Sequence, residues 1–145
     1  MHDVPRQLTI DELADLFEGR TRLVEELARR DDPLGEAPEV IAELSEADML
    51  EALNAHPAIG AKNLSPRSAA EQGDDGDPAV LTELAYLNQA YEEKFGFRFV
   101  VFVDGRPKSE ILEVLRRRLQ RTREEELETA VHELVAIAED RWRRS

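Results

Sequence analysis

The sequence predicts an all-α fold: a single-domain, compact multi-helix protein over residues 1–145 with one extended segment near residues 97–103. Apolar residues recur at helical spacing along most of the chain, and capping residues stand just ahead of those stripes. From Phe97 to Val103 the residues are aromatic or β-branched apart from Arg98, which favours extended backbone. One strand without a partner does not make a sheet, so this segment is expected to lie packed among helices.

The elements follow in order. Thr9 and Glu12 form a capping box ahead of Leu13, Leu16 and Phe17, and Gly19 reads as the stop. A second helix is expected from Thr21 through Arg30, with Leu23, Val24 and Leu27 on one face and Asp31, Asp32 and Pro33 breaking it. Val40, Ile41 and Leu44 suggest a short helix, after which Ser45 caps another that Pro57 ends at His56. Ser65 and Pro66 open a short segment that Gly73 terminates. Asp77 and Pro78 start a long helix whose stripe runs Leu81, Leu84, Asn88, Tyr91 and Phe95, closed by Gly96. Asp104 and Gly105 then supply a turn. Ser109 is expected to cap a helix carrying Ile111, Leu112, Leu115 and Leu119, with Arg116, Arg117 and Arg118 suiting the negative end of its dipole. Thr122 and Glu125 form another capping box, and the last helix buries Leu127, Val131, Leu134 and Ala138.

Composition narrows the function classes. A length of 145 residues, 41% hydrophobic and 35% charged, suits one ordinary soluble domain with a real core. A net charge of -13 repels phosphate backbones and anionic lipid surfaces, which disfavours nucleic acid and membrane as partners. No apolar run approaches a membrane span and the start lacks a signal-peptide pattern, so a cytoplasmic protein is expected. With no cysteine there is no thiol nucleophile, and the three histidines show no metal-ligand spacing, so no metal site is expected.

Two residues stand out chemically. His56 opens the pentapeptide HPAIG, where a rigid proline holds an imidazole at a helix terminus. Such a histidine suits the helix dipole whatever else it does, and it is also a candidate acid or base. Arg141 continues the apolar stripe of the last helix beyond Leu134 and Ala138, which calls for a reason; snorkelling at a helix end is the ordinary one.

The motifs HPAIG, SAAEQG, LNQAYEEKFGFRFVVFVDGRPKSEIL and AVHELVAIAEDR, in that order from His56 to Arg141, closely resemble the OHCU decarboxylase family (2-oxo-4-hydroxy-4-carboxy-5-ureidoimidazoline decarboxylase). The resemblance runs from about Leu44 to Arg141, and the first forty residues are similar only in helical character. It implies an all-α, cofactor-free carboxy-lyase of urate (purine) breakdown that forms (S)-allantoin and carbon dioxide, with a homodimer as its expected assembly. It further implies that His56 is the catalytic histidine with Glu71 beside it and Pro57 at the substrate wall. Ser68 and Gln72 fall on the polar side of the pocket, Phe97, Phe99 and Val101 in the segment facing the ring, and Arg141 at the late substrate-binding arginine.

The residue types suit that chemistry. The substrate's ring imine receives the electron pair when carbon dioxide leaves, so what remains is to manage the hydroxyl proton and protonate the neighbouring carbon, work that histidine performs near neutral pH. A carboxylate at Glu71 would orient the imidazole and favour its protonated form, and an arginine fork would hold an anion in a protein this acidic. Two other readings stay open: a non-catalytic acidic helical binding module, and a cofactor-free hydrolase of a related ureide. Ser68 and Glu71 also have the spacing of a capping box, and Phe97 and Phe99 that of core residues.

Overall fold

The computed structural model describes residues 7–57 and 77–144. Among them the chain forms helices α1 (Ile10–Phe17), α2 (Arg22–Leu27), α3 (Ala37–Glu43), α4 (Glu46–Ala55), α5 (Pro78–Phe95), α6 (Lys108–Arg118) and α7 (Arg123–Arg144), and no strand. The expected short segment between Ser65 and Gly73 lies outside the described residues, as do Ser68, Glu71 and Gln72. No described helix is long and apolar enough to cross a membrane.

Local chemistry explains most boundaries. The Thr9–Glu12 capping box closes in both directions, at 3.1 Å and 3.0 Å, and the Thr122–Glu125 box does the same at 3.2 Å and 3.0 Å. Ser45 Oγ accepts from the Asp48 amide, Thr21 Oγ1 from that of Val24 and Asp77 Oδ1 from that of Ala79, satisfying first-turn donors of α4, α2 and α5. Gly96 ends α5 at φ 83°, a left-handed turn that glycine enters without a Cβ penalty.

The structure differs from the sequence expectations at several points. Helix α2 ends at Leu27, and residues 28–36 form turns in which the Asp32 amide donates to Glu36. Ser109 is not a cap: α6 begins at Lys108 behind Pro107, whose fixed φ suits a helix entry. Leu81 is 37% exposed, so the buried stripe of α5 is Leu84, Asn88, Tyr91 and Phe95. On α7 the buried face starts at Glu126, and Leu127 is only half-buried.

Helix α7 is the spine of the fold, packing against α1, α3 and α4, while α5 lies on α6. Segment 97–103 is neither helix nor strand and lies in the core, with Phe97, Phe99, Val100, Val101 and Val103 buried. The rings of Phe97 and Phe99 pack edge-on against Tyr91 at centroid distances of 5.8 Å and 5.3 Å. An extended chain without a ladder partner needs other hydrogen bonds, and side chains supply some of them. Arg118 Nη1 donates to Val100 O at 2.7 Å, and the Phe102 amide donates to Glu133. The turn at Asp104 and Gly105, both at positive φ, closes through Arg106 N to Val103 O.

Arg118 therefore does not sit in solvent at the end of α6. It is buried with Glu126, whose carboxylate is fully enclosed and accepts from Arg118 Nε at 2.6 Å, Arg121 Nη1 at 2.9 Å and the Tyr91 hydroxyl at 2.6 Å. Burial and the hydrogen bond to Glu126 raise the Tyr91 phenol well above its usual pKa. Glu126→Ala would strand a buried guanidinium and a buried hydroxyl, so a loss of about 3–5 kcal/mol in denaturant-induced unfolding is expected. A loss under about 1 kcal/mol, the scale of an exposed pair, would show that the network carries little of the fold's stability.

Candidate active site

The site is assembled from the ends of three helices and the extended segment. Its histidine is the C-cap of α4: His56 leaves the helix at φ -81° and ψ 137°, as the following Pro57 requires, while its amide still donates to Leu53 O. The side chain is buried and Pro57 is half-buried.

Helix α1 ends opposite. The left-handed residue there is Glu18, at φ 59°, and not the following Gly19. Gly19 instead permits a close approach. A Cβ added to it would lie 3.1 Å from Ala55 Cβ, so its bareness lets the α1–α2 turn press against the last turn of α4. This contact sets Glu18 beside His56, with Glu18 Oε2 3.5 Å from His56 Nδ1. At that separation Nδ1 is buried without a hydrogen bond.

The third contribution comes from α7. Arg141 is 3% exposed and so does not snorkel; its guanidinium is spent inside the protein. Nη1 donates to Leu16 O at 2.8 Å, capping a terminal carbonyl of α1, and Nη2 lies 3.4 Å from Glu18 Oε2. One carboxylate oxygen thus faces both the imidazole and the guanidinium.

Arg98 completes the surroundings from the extended segment. Its Nη1 donates to His56 O at 2.6 Å and to Asn54 O at 3.2 Å, and its amide donates to Asn54 Oδ1 at 3.3 Å. These bonds satisfy carbonyls left open at the end of α4 and tie the histidine's backbone to segment 97–103.

In these surroundings the His56 pKa is lowered from 6.5 to about 4. Burial is the main cause, the Arg141 guanidinium adds to it, Glu18 opposes it and Arg98 contributes in the same direction as Arg141. Among the described residues Glu18 supports the imidazolium, and burial with two arginines outweighs it; Glu71, the carboxylate implied by the resemblance, lies outside the described residues. The resting side chain is a neutral imidazole, able to accept a proton.

Of the sequence-derived candidates, the structure brings His56, Pro57 and Arg141 to one place. Phe97 and Phe99 turn their rings into the core around Tyr91, and Val101 is buried in the same segment. Sequence reasoning missed Glu18 and Arg98. Each had a signal: Glu18 is a carboxylate at the negative end of a helix dipole, where it is disfavoured, and Arg98 is the one charge in an apolar run. Among the described residues no group of acidic or histidine side chains is arranged to hold a metal ion.

Comparison with known proteins places the chain in a family. The chain is 32% identical over 105 residues to the uric acid degradation bifunctional protein of Bacillus sp. strain TB-90, a match covering 69% of this chain and 21% of that protein. It is 31% identical over 103 residues to the 2-oxo-4-hydroxy-4-carboxy-5-ureidoimidazoline decarboxylase of Halalkalicoccus jeotgali, covering 68% of this chain and 58% of the relative. The chain therefore spans less than two thirds of the length of these curated relatives. Its fold superposes on a crystal structure of an OHCU decarboxylase in the presence of (S)-allantoin with a TM-score of 0.77 and 27% identity, covering 92% of this chain and 96% of that one. The family pattern for OHCU decarboxylase matches residues 2–143, a reach that includes Glu18 as well as His56 and Arg141, and the chain belongs to the OHCU decarboxylase family.

Proposed function

We propose that this chain decarboxylates 2-oxo-4-hydroxy-4-carboxy-5-ureidoimidazoline to (S)-allantoin and carbon dioxide in urate breakdown, with the substrate's own ring imine as electron sink. The observation that carries this reading is the buried His56 imidazole, held neutral beside Arg141 and Glu18 in a chain of this family.

By its place in the family motif, Arg141 supplies the positive charge that holds the substrate carboxylate. As the carbon–carboxylate bond breaks, carbon dioxide leaves, the bonding pair becomes a double bond to the ureido-bearing carbon, and the displaced imine pair settles on the ring nitrogen, which takes up one proton from solvent. His56 takes the hydroxyl proton, the carbinol carbon becomes a carbonyl, and a proton is delivered to one face of the ureido-bearing carbon, which sets the S configuration. The histidine that accepted the first proton is the natural donor of the second, and burial keeps water from competing. Pro57 walls the ring, and the backbone of the segment around Phe97, Phe99 and Val101 offers it donors and acceptors. By their place in the family motif, Ser68, Glu71 and Gln72 supply the polar side of the pocket.

Freshly generated substrate given to the pure protein should yield (S)-allantoin; racemic product at the spontaneous rate would overturn the assignment. His56→Asn should cut the stereoselective reaction by on the order of 10²–10⁴-fold, whereas near-native turnover would remove His56 from the chemistry. The same variant reads the electrostatics. An unfolded histidine titrates near 6.5, but folded His56 does so at about 4. Between these values only the unfolded chain binds the proton, so native stability falls as pH drops through that window and is unaffected by His56 above it. The loss attributable to His56 is roughly 2.5 kcal/mol at about pH 4.5. Unfolding curves of His56→Asn should lack that part of the acid sensitivity, and curves with unchanged pH dependence would contradict the lowered pKa.

Arg141→Lys keeps the charge but loses the fork. Catalytic efficiency should drop by ~1.5–3 kcal/mol, or roughly tenfold to a hundredfold, with a measurable loss of thermal stability because the bond to Leu16 O is buried. Arg143→Lys, whose side chain is 65% exposed, serves as the control and should change neither. Equal, negligible effects at both positions would withdraw Arg141 from the site.

A further inference from the structure

We infer that Glu18 is a positioning residue for the reaction: its carboxylate takes the Nδ1 proton of His56 as hydrogen-bond acceptor, fixing Nε2 as the proton-accepting nitrogen, while holding Arg141 in register with it. This rests on the decarboxylase reading of the site and extends it to a residue in the first helix.

The geometry carries the assignment. Glu18 Oε2 lies 3.5 Å from His56 Nδ1 and 3.4 Å from Arg141 Nη2, so a single oxygen spans the two groups. The three side chains come from α1, α4 and α7, so nothing local in the sequence forces them together. His56 Nδ1 is buried and lacks a hydrogen bond, and Glu18 Oε2 is the carboxylate oxygen that faces it within 4 Å among the described residues. From the 3.5 Å separation, a shift of roughly 0.3 Å or more brings the pair into hydrogen-bond range.

The backbone supports the same conclusion. Glutamate at φ 59° is strained relative to glycine or asparagine, and it stands at the end of α1 where the dipole disfavours a negative charge. Placement in two unfavourable settings is explained by what its carboxylate meets. Gly19 holds the turn against Ala55, one residue before His56, so the strain and the close approach serve the same juxtaposition. In the reaction, the imidazole becomes cationic when it takes the substrate's hydroxyl proton. Arg141 and Arg98 oppose that charge, and Glu18 is the anion that offsets them.

The test compares Glu18→Gln with Glu18→Asp, each alone and in the His56→Asn background. Glu18→Gln should keep the fold but lower kcat tenfold or more, with a smaller change in KM, and should move the acid limb of kcat/KM to lower pH because Arg141 and Arg98 are left unopposed. Glu18→Asp retains charge and tolerates the left-handed backbone, so it should keep the acid limb and recover part of kcat. In the residual reaction of His56→Asn, Glu18→Gln should add no further loss, since the two act as one unit. Native kcat and an unmoved pH profile in Glu18→Gln, or losses that add fully to those of His56→Asn, would overturn the assignment. If Glu18→Gln does not fold, the aspartate variant decides, and a native kcat there together with a shifted limb would count against it. Should the unmodified protein form no (S)-allantoin, the decarboxylase reading fails. The Glu18–His56 pair is then judged by the imidazole titration alone, which must move down in Glu18→Gln for the pairing to stand.

Discussion

A guanidinium enclosed at the end of the last helix is the constraint on which the rest of the site depends. Arg141 has left water almost entirely, and a buried cation is tolerated only where acceptors replace its hydration. Leu16 O and Glu18 meet that need, and both belong to the last turn and cap of α1. Meeting it therefore fixes how the first and last helices of the described fold face each other, and it sets Glu18 against His56. Removing either partner would take away a charge that the other meets inside the protein, so chemistry and packing share the same atoms.

The molecule uses a similar device twice. At the other end of α7, Glu126 is enclosed by Arg118, Arg121 and Tyr91, and the same Arg118 holds Val100 O. That network secures the middle of the extended segment, and Arg98 secures its beginning against the end of α4. An extended chain without ladder partners would otherwise be free to shift, carrying the histidine's backbone contact with it. The buried pairs are costly to form compared with apolar packing, but they specify one arrangement. Fixed geometry is what a proton-transfer site requires.

Much of the fold was legible in the sequence because helix caps and stripes are local signals. Thr9 with Glu12, Ser45, Asp77 with Pro78, and Thr122 with Glu125 each mark a helix start that the structure contains. The β-branched and aromatic content of residues 97–103 marks a segment that is not helical, and among the described residues it joins no sheet, in keeping with the lack of a second such run. Illegible were the tertiary pairings. Arg118 looks like a dipole-compensating residue until Glu126 is found beside it, and Leu127 looks like core until the fully enclosed Glu126 is seen to occupy the buried face. His56 and Arg141 were visible because a proline and an apolar stripe made their types conspicuous. Glu18 was hidden because its role depends on contacts to residues 38 and 123 positions away in the chain.

The proposed chemistry requires His56 to be an uncharged base at rest. The most direct measurement is a titration of its imidazole nitrogens by nuclear magnetic resonance in the folded protein, assigned by the signal missing from His56→Asn. The expected result is a neutral ring with a midpoint near pH 4, and a distinct Nδ1–H tautomer above it. A midpoint at or above the ordinary histidine value of about 6.5 would mean that burial and the two arginines do not control the site, and the proposed proton transfer would have to start from an imidazolium.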